Sequence, residues 1–125
     1  MILDTCALLW LAHEQERLSP EVLRMLEEAP AVYLSSITGF EIALKCRSGK
    51  LMLPVPAFRW LPEIIAHHRI SLLGLDMDIC LRAAELPPIH KDPCDRFIIA
   101  TALAHRLRVV TADERFAQYG VEVLL

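Results

Sequence analysis

The sequence alternates short apolar segments with longer segments that carry helix signals, and this alternation constrains the fold most. Segments with the β-branched and aromatic content of strands lie at residues 1–4, 31–36, 70–75, 108–113 and 121–125. Helical segments lie between them at residues 7–13, 19–28, 38–47, 57–68, 76–86, 92–105 and 114–120. Strands that are separated by helices form right-handed crossovers. The sequence therefore predicts an α/β fold, with a mostly parallel sheet between helical layers.

Capping residues support several of these boundaries. Ser19, Ser36 and Asp76 each stand where a side chain can accept a hydrogen bond from the first turn of the helix that follows. Pro62 lies inside the segment 57–68 and weakens the prediction of a helix there. The stretch "LMLPVP" at residues 51–56 contains two prolines and predicts a loop.

Length and composition predict one domain over residues 1–125. The sequence has no repeat, low-complexity tract or linker that would mark a boundary. Its hydrophobic fraction of 54% and mean hydropathy of +0.38 are high. However, no apolar run approaches the roughly 18 residues that span a bilayer. We therefore expect no membrane segment, and we attribute the apolar excess to a large core and a subunit interface.

The cysteines and the N-terminal segment favour a cytoplasmic protein. The cysteines are spread along the chain without paired spacing, so we expect free thiols in a reducing compartment. They are Cys6, Cys46, Cys80 and Cys94. Met1 is followed by an apolar stretch that contains Asp4 and has no basic region before it, so we expect no secretory signal. The net charge of −3 neither supports nor excludes a nucleic-acid substrate.

Four acidic residues occupy positions that the predicted fold brings to one end of the sheet. Asp4 ends the first strand, and Asp113 follows the fourth. Glu41 lies early in the helix after the second strand, and Asp95 lies in the first turn of the helix before the fourth. Ligands of open parallel sheets bind beyond the carboxyl ends of the strands, near the point where strand order reverses. We therefore expect these four side chains to face one site.

Converging carboxylates need a compensating positive charge. Two unit charges about 4 Å apart repel by roughly 4 kcal/mol at an effective dielectric constant near 20. Hard oxygen ligands suit Mg²⁺ or Mn²⁺, and such an ion can assist phosphodiester hydrolysis. His90 lacks the second Cys/His pair of a zinc site, so we do not expect zinc. Local explanations also exist, because Asp92 and Asp113 can cap helices and Glu41 can pair with Lys45.

Four stretches that together run the length of the chain resemble the PIN-domain family, and within it the VapC-type toxin ribonucleases. They are "LDTCALLWLA", "SSITGFEIALKCRSGKL", "HKDPCDRFIIATALAHRL" and "VVTADERFAQYGVEVL". The resemblance implies a Rossmann-like parallel sheet of about five strands with helices on both faces. It also implies a metal-dependent endoribonuclease, an antitoxin that blocks the site, and a homodimer.

The resemblance also assigns roles by position. The family's acidic residues fall on Asp4, Glu41, Asp95 and Asp113, with Asp92 as an accessory acid. It implies that Asp4, Asp95 and Asp113 bind metal, and that Glu41 binds it or positions the attacking water. Thr5 and Thr111 occupy hydroxyl positions beside the first and last acids. The chain departs from the family where Cys6, Phe40 and Cys94 replace a common His, Trp and Phe.

We expect basic residues at the rim of the site to contact RNA phosphates. The candidates are Lys45, Arg47, Lys91, Arg96 and Arg115. The expected substrate is single-stranded or looped RNA, which exposes its scissile bonds. Two alternatives stay open. One is a Mg²⁺-dependent phosphatase or DNA nuclease on a similar sheet, although Cys6 stands where an aspartyl phosphatase needs a second Asp. The other is an acidic pocket without chemistry that captures a basic peptide.

Overall fold

A five-stranded parallel sheet forms the centre of the molecule. A computed structural model describes all 125 residues, Met1–Leu125. The strands are β1 (Ile2–Leu3), β2 (Val32–Ser35), β3 (Ile70–Leu73), β4 (Val109–Val110) and β5 (Val123–Leu124). The helices are α1 (Thr5–His13), α2 (Pro20–Glu28), α3 (Ile37–Arg47), α4 (Ala57–His67), α5 (Met77–Glu85) and α6 (Pro93–His105). Two short 3-10 helices cover Gln15–Arg17 and Glu114–Tyr119. The predicted α/β class is confirmed.

The strand order is β3-β2-β1-β4-β5, and every neighbouring pair is parallel. The chain builds outward from β1 through β2 to β3, and then returns to place β4 on the other side of β1. Ile2 therefore lies in register with Tyr33 on one side and Val109 on the other. Strand order reverses between β1 and β4, so the carboxyl ends of these two strands form the switch point where a ligand is expected.

Successive residues of the central strands pack on opposite faces of the sheet, as the two-residue period of a strand requires. Leu3 and Val110 belong to the core under α1, α2, α3 and α4. Ile2 and Val109 belong to the core under α6 and the second 3-10 helix. Trp60 is 2% exposed in the first of these cores, and its indole N–H donates to His13 Nε2 at 3.1 Å. Both faces of β1 and β4 are thus buried, which fixes the strand ends that carry the site.

Local details differ from the sequence-based prediction in three places. Ser36 does not cap α3, because its backbone is already helical; Ser35 Oγ instead accepts the N–H of Ile37 at 3.2 Å. The predicted helix near residue 114 is a 3-10 helix. Strands β1, β4 and β5 have two residues each, shorter than predicted. Pro62 lies inside α4, where the helix forms in spite of the lost backbone donor.

None of the helices combines the length and the apolar composition that crossing a bilayer requires. The four cysteines are free thiols.

Candidate active site

Asp4 lies at the switch point, directly after β1. Its Oδ1 accepts the backbone N–H of Ala7 at 2.7 Å and so caps α1. Its Oδ2 accepts a hydrogen bond from the Thr111 hydroxyl, which follows β4. The side chain is buried. Burial, together with the charges of Glu41 and Asp113, raises the pKa of the Asp4 carboxyl, although these two hydrogen bonds lower it. This contact joins residues 107 positions apart, so no local pattern reveals it; the family resemblance marked Thr111 only as a hydroxyl position beside the last acid.

Glu41 is buried on α3 beside the first residues of α1. The Thr5 hydroxyl donates to Glu41 Oε1 at 2.8 Å, and Thr5 Oγ1 lies 3.2 Å from Thr38 Oγ1. Lys45 Nζ lies 3.1 Å from Glu41 Oε2, one helical turn further along α3. The charge of Glu41 adds to the upward shift of the Asp4 pKa, so the two carboxylates share one electrostatic environment.

His90, Asp95 and Asp113 form the tightest cluster in the site. Each offers one potential ligand atom, and these atoms all lie within 4.8 Å of one another. His90 Nε2 is 2.8 Å from Asp113 Oδ2 and 3.1 Å from Asp95 Oδ2. His90 is only 2% exposed. Sequence reasoning considered this histidine only as a weak zinc ligand; the one available signal was its position in the segment that carries Asp92 and Asp95.

The two acids of this cluster have opposite pKa shifts. Burial, followed by the charge of Asp92, raises the pKa of Asp95 to about 7. Hydrogen bonds from Arg115 lower the pKa of Asp113 to about 2. The Arg115 guanidinium donates to both Asp113 oxygens, at 2.9 and 2.8 Å. Asp113 therefore carries a compensated charge, whereas Asp95 lies in a buried acidic surrounding where only His90 is within ion-pair distance.

The remaining acid and hydroxyl positions also connect to the cluster. Asp92 caps α6, with its Oδ1 accepting the N–H of Cys94 at 2.9 Å. Thr111 Oγ1 accepts the backbone N–H of Asp113 at 3.0 Å while its hydroxyl donates to Asp4. The charges of Asp4 and Glu41 both contribute to the raised pKa of Asp95. The four predicted acids thus face one region, although Asp4 and Glu41 lie outside the tight cluster.

The structure overturns the prediction that Arg96 contacts phosphate. All five N–H donors of its guanidinium are directed at backbone carbonyls at the end of α5 and in the loop that follows. These carbonyls belong to Ala83, Ala84, Leu86, Pro87 and His90. No donor is left for a ligand, so the role of Arg96 is structural: it connects α6 to the end of α5 and to the loop between them.

The other predicted basic residues lie nearer the surface. Lys45 and Arg115 are ion-paired with Glu41 and Asp113 but keep part of their side chains exposed, at 38% and 53%. Arg47, at the end of α3, and Lys91, next to His90, are exposed.

The site offers the ligand atoms that a hard divalent cation prefers. Carboxylate oxygens come from the end of β1, from α6 and from the residues after β4, and hard oxygen ligands are those that Mg²⁺ and Mn²⁺ prefer. The Asp95 carboxyl is the clearest candidate ligand, because it is partly buried beside other acids and its pKa is raised. The residues that could hold such an ion are Asp4, Asp95 and Asp113, with Glu41 beside them.

The strand order and the acidic residues at its switch point define the fold and site of a PIN domain. The PIN domain model matches residues 1–122, and the chain belongs to this family. Within it, the chain is related to VapC proteins. It is 31% identical over 120 residues to Ribonuclease VapC22 of Mycobacterium tuberculosis (strain ATCC 25618 / H37Rv), covering 95% of this chain and 91% of that protein. The resemblance stated from the sequence is confirmed.

Solved structures support the same fold. One is the VapBC2 complex from Rickettsia felis bound to a DNA fragment from their promoter, with a TM-score of 0.72, 15% identity, and coverage of 98% of this chain and 95% of that chain. Another is FitAcB from Neisseria gonorrhoeae, with a TM-score of 0.64, 27% identity, and coverage of 99% and 96%.

Proposed function

We propose that the protein is a toxin ribonuclease that hydrolyses phosphodiester bonds in single-stranded or looped RNA with Mg²⁺ or Mn²⁺. The observation that carries the proposal is the approach of Asp95 Oδ2 and Asp113 Oδ2 to the same His90 nitrogen, beside buried Asp4 at the switch point. The family membership and the 31% identity to Ribonuclease VapC22 support RNA as the substrate.

Asp4, Asp95 and Asp113 would hold the metal ion, directly or through water. A bound Mg²⁺ or Mn²⁺ would supply a Lewis acid that activates water and offsets the negative charge of the phosphate. Thr111 keeps the Asp4 carboxylate oriented, because its hydroxyl donates to Oδ2 while the opposite oxygen caps α1. Asp4 and Asp113 are each held by protein donors before substrate binds, so these two acids need little reorganisation.

Glu41 would position the attacking water or complete the metal site. Thr5 fixes its Oε1 by a 2.8 Å hydrogen bond, and Lys45 approaches its Oε2. This arrangement gives both carboxylate oxygens of Glu41 a partner at a buried position, where an unpartnered carboxylate would be costly. We propose the accessory role of Asp92 to be electrostatic, because its charge raises the pKa of Asp95.

Exposed cations at the rim would contact the RNA backbone. Lys45, Arg47, Lys91 and Arg115 remain candidates, and Arg96 does not. Lys45 and Arg115 already balance carboxylates, so a phosphate that reached them would share their donors. Contacts of this kind are independent of RNA sequence and weaken as salt increases.

The proposed partners are a cognate antitoxin and a second copy of the chain. Structural relatives include a toxin-antitoxin complex from Klebsiella pneumoniae and VapBC assemblies. The carboxylates of Asp4 and Asp95, which have no lysine or arginine partner, would accept a basic side chain of an antitoxin in place of the metal and RNA. We propose that residues 1–125 act as one domain in the cytoplasm, with which the free thiols are consistent.

The test is cleavage of RNA by the purified protein in Mn²⁺ or Mg²⁺, with and without chelator. We expect metal-dependent cleavage and a loss of about 100-fold or more in Asp95→Asn, since the variant removes a metal-binding charge. Asp78→Asn is the matched control, because Asp78 is an exposed acid paired with Arg82 on α5. Cleavage that resists chelator, or full activity in Asp95→Asn, would contradict the proposal.

The same assay separates the alternatives. Cleavage of single-stranded DNA at the rate of RNA would favour a DNA nuclease, and release of phosphate from a small phosphate ester would favour a phosphatase. A protein that binds a basic peptide and leaves RNA, DNA and phosphate esters intact would be a binding module.

A further inference from the structure

His90 is held in place on several sides by the protein. Its backbone N–H donates to the Tyr119 hydroxyl at 2.7 Å, and its carbonyl accepts a hydrogen bond from Arg96 at 3.1 Å. The Tyr119 hydroxyl in turn donates to the carbonyl of Pro87 at 2.7 Å. The imidazole lies edge-on to the ring of Phe116, with 5.8 Å between ring centroids. The loop between α5 and α6 therefore presents this one side chain to the acidic cluster in a fixed orientation.

The hydrogen bonds of the imidazole determine which nitrogen carries the proton. Nδ1 accepts the backbone N–H of Asp92 at 3.2 Å, so in the neutral ring the hydrogen is on Nε2. Nε2 then donates to Asp113 Oδ2 at 2.8 Å, with Asp95 Oδ2 at 3.1 Å from the same nitrogen. Both ring nitrogens are engaged, so His90 has no lone pair free for a metal ion.

We propose that His90 is a positioning residue of the nuclease site, which directs the Asp113 carboxylate toward Asp95 by donating its Nε2–H. The inference rests on the proposed function. It follows from the geometry, because Arg115 holds Asp113 from the solvent side and His90 holds it from the buried side. Donors that orient metal-binding carboxylates are worth about 10–100-fold in metal affinity or activity when they are removed.

Three substitutions separate this role from general support of the loop. The amide nitrogen of His90→Gln extends about as far as Nε2 and can still donate to Asp113. The amide of His90→Asn ends near the position of Nδ1 and falls short, and His90→Phe fills the space without a donor. His105→Asn on the exposed end of α6 is the matched control.

The measurements are Mn²⁺ affinity by titration calorimetry, RNA cleavage resolved into kcat and KM, and the melting temperature. We expect His90→Asn and His90→Phe to lose about 10–100-fold in Mn²⁺ affinity or kcat. We expect His90→Gln to stay within about fivefold of wild type in both, as rescue by a retained donor requires. KM for RNA should change little, since the substitutions lie beneath the substrate.

Two results with the variants would overturn the inference while the proposed function stands. One is wild-type Mn²⁺ affinity and kcat in His90→Asn; the other is a loss in His90→Gln as large as in His90→Phe. If His90→Phe does not fold, the comparison of His90→Gln with His90→Asn still tests the inference. Long-range proton–nitrogen NMR gives a readout without metal: an Nε2–H tautomer supports the hydrogen bond, and an Nδ1–H tautomer overturns it. Wild-type protein that neither binds Mn²⁺ nor cleaves RNA would overturn the proposed function itself.

Discussion

Asp95 and Asp113 show how surroundings give two identical side chains opposite properties. Asp113 receives hydrogen bonds from Arg115 and His90 and has a pKa of about 2, so its charge is stabilised in the folded protein. Asp95 is partly buried beside Asp92 and has a pKa of about 7. A group with a raised acid pKa is unfavourable in its ionised form, and a site of this kind needs an added cation at neutral pH.

The first consequence is that removing the charge of Asp95 stabilises the metal-free protein. The folded-state pKa of about 7 is above the ordinary value of 3.8, so the folded state binds more protons and stability falls as pH rises from about 4 to 7. Asp95→Asn should therefore raise the melting temperature in EDTA at pH 8 by a few degrees, since about 1 kcal/mol corresponds to roughly 4 °C. The difference should vanish near pH 4. Circular dichroism melting measures both, with Asp78→Asn as the control.

Replacing Asp113 by Asn should change the melting temperature in the opposite direction. Its pKa of about 2 lies below the ordinary 3.8, so ionised Asp113 stabilises the fold above pH 4 and that contribution is lost between about pH 4 and 2. Asp113→Asn should lower the melting temperature at pH 8. A lower melting temperature for Asp95→Asn at pH 8 would show that hydrogen bonds to Asp95 outweigh its desolvation.

At the scale of elements, the junction between α5 and α6 depends on Arg96. Its guanidinium donates to carbonyls at the C-terminal end of α5, where the last carbonyls of a helix lack partners. It also donates to Pro87 and His90 in the loop. The Arg96 side chain thus supplies hydrogen-bond donors to the last carbonyls of α5 and also fixes the loop that carries His90.

Arg96→Lys should destabilise the protein even though it keeps the charge. Lysine has three donors from one nitrogen and cannot reach five carbonyls, and hydrogen bonds from charged groups contribute about 1.5–3 kcal/mol each. We expect a loss of about 2–4 kcal/mol in the free energy of unfolding, measured by urea denaturation. Arg82→Lys is the control, because its exposed pair with Asp78 is worth only about 0.5 kcal/mol. A small change in Arg96→Lys would contradict this role.

Local sequence signals were sufficient to predict most elements but not the interior of the site. Ser19 and Asp76 accept the capping hydrogen bonds that the sequence predicted, because capping depends on neighbours within three residues. Ser36 does not cap α3, because its backbone is already helical and the helix begins one residue earlier than expected. The role of His90 depends on Tyr119, 29 residues away, so no local pattern could reveal it.

The same distinction explains the acids and Arg96. Asp4 and Asp113 follow strands, and a parallel sheet places all such residues at one edge whatever their separation in sequence. Arg96 was expected to face RNA because arginine often binds phosphate. The direction of its side chain depends on the path of the loop after α5. The sequence does not give that path, so it cannot show whether the guanidinium points into the protein or toward solvent.

At the scale of the whole molecule, the fold gathers acidic side chains from four distant segments, and the chain has a net charge of −3. Sheet packing on both faces fixes where β1 and β4 end, so burial of the core forces Asp4 to face Asp113 across the switch point. The folded state consequently stores a repulsion that the unfolded chain does not have. Any cation that binds at this edge should stabilise the molecule as a whole.

The expected stabilisation by metal has a defined dependence on pH. A ligand that binds only the folded state adds about 2.7 kcal/mol of stability at 100 times its dissociation constant. Asp95 must lose its proton before it can bind Mn²⁺, and its pKa is about 7, so protons compete with the metal below that pH. Burial also raises the pKa of Asp4, which adds to the competition. Millimolar Mn²⁺ should therefore raise the melting temperature at pH 8 and do so much less at pH 5.5.

The control for this prediction is Asp95→Asn, in which the competing proton is absent and the site has one ligand charge fewer. Its melting temperature should respond weakly to Mn²⁺ at both pH values. An equal Mn²⁺ effect at pH 8 and pH 5.5 in the wild-type protein would place the binding at carboxylates with ordinary pKa values, away from Asp95. Because the helices and both cores are coupled to the strand ends, a true effect should appear as a shift of the single cooperative transition rather than as a separate local one.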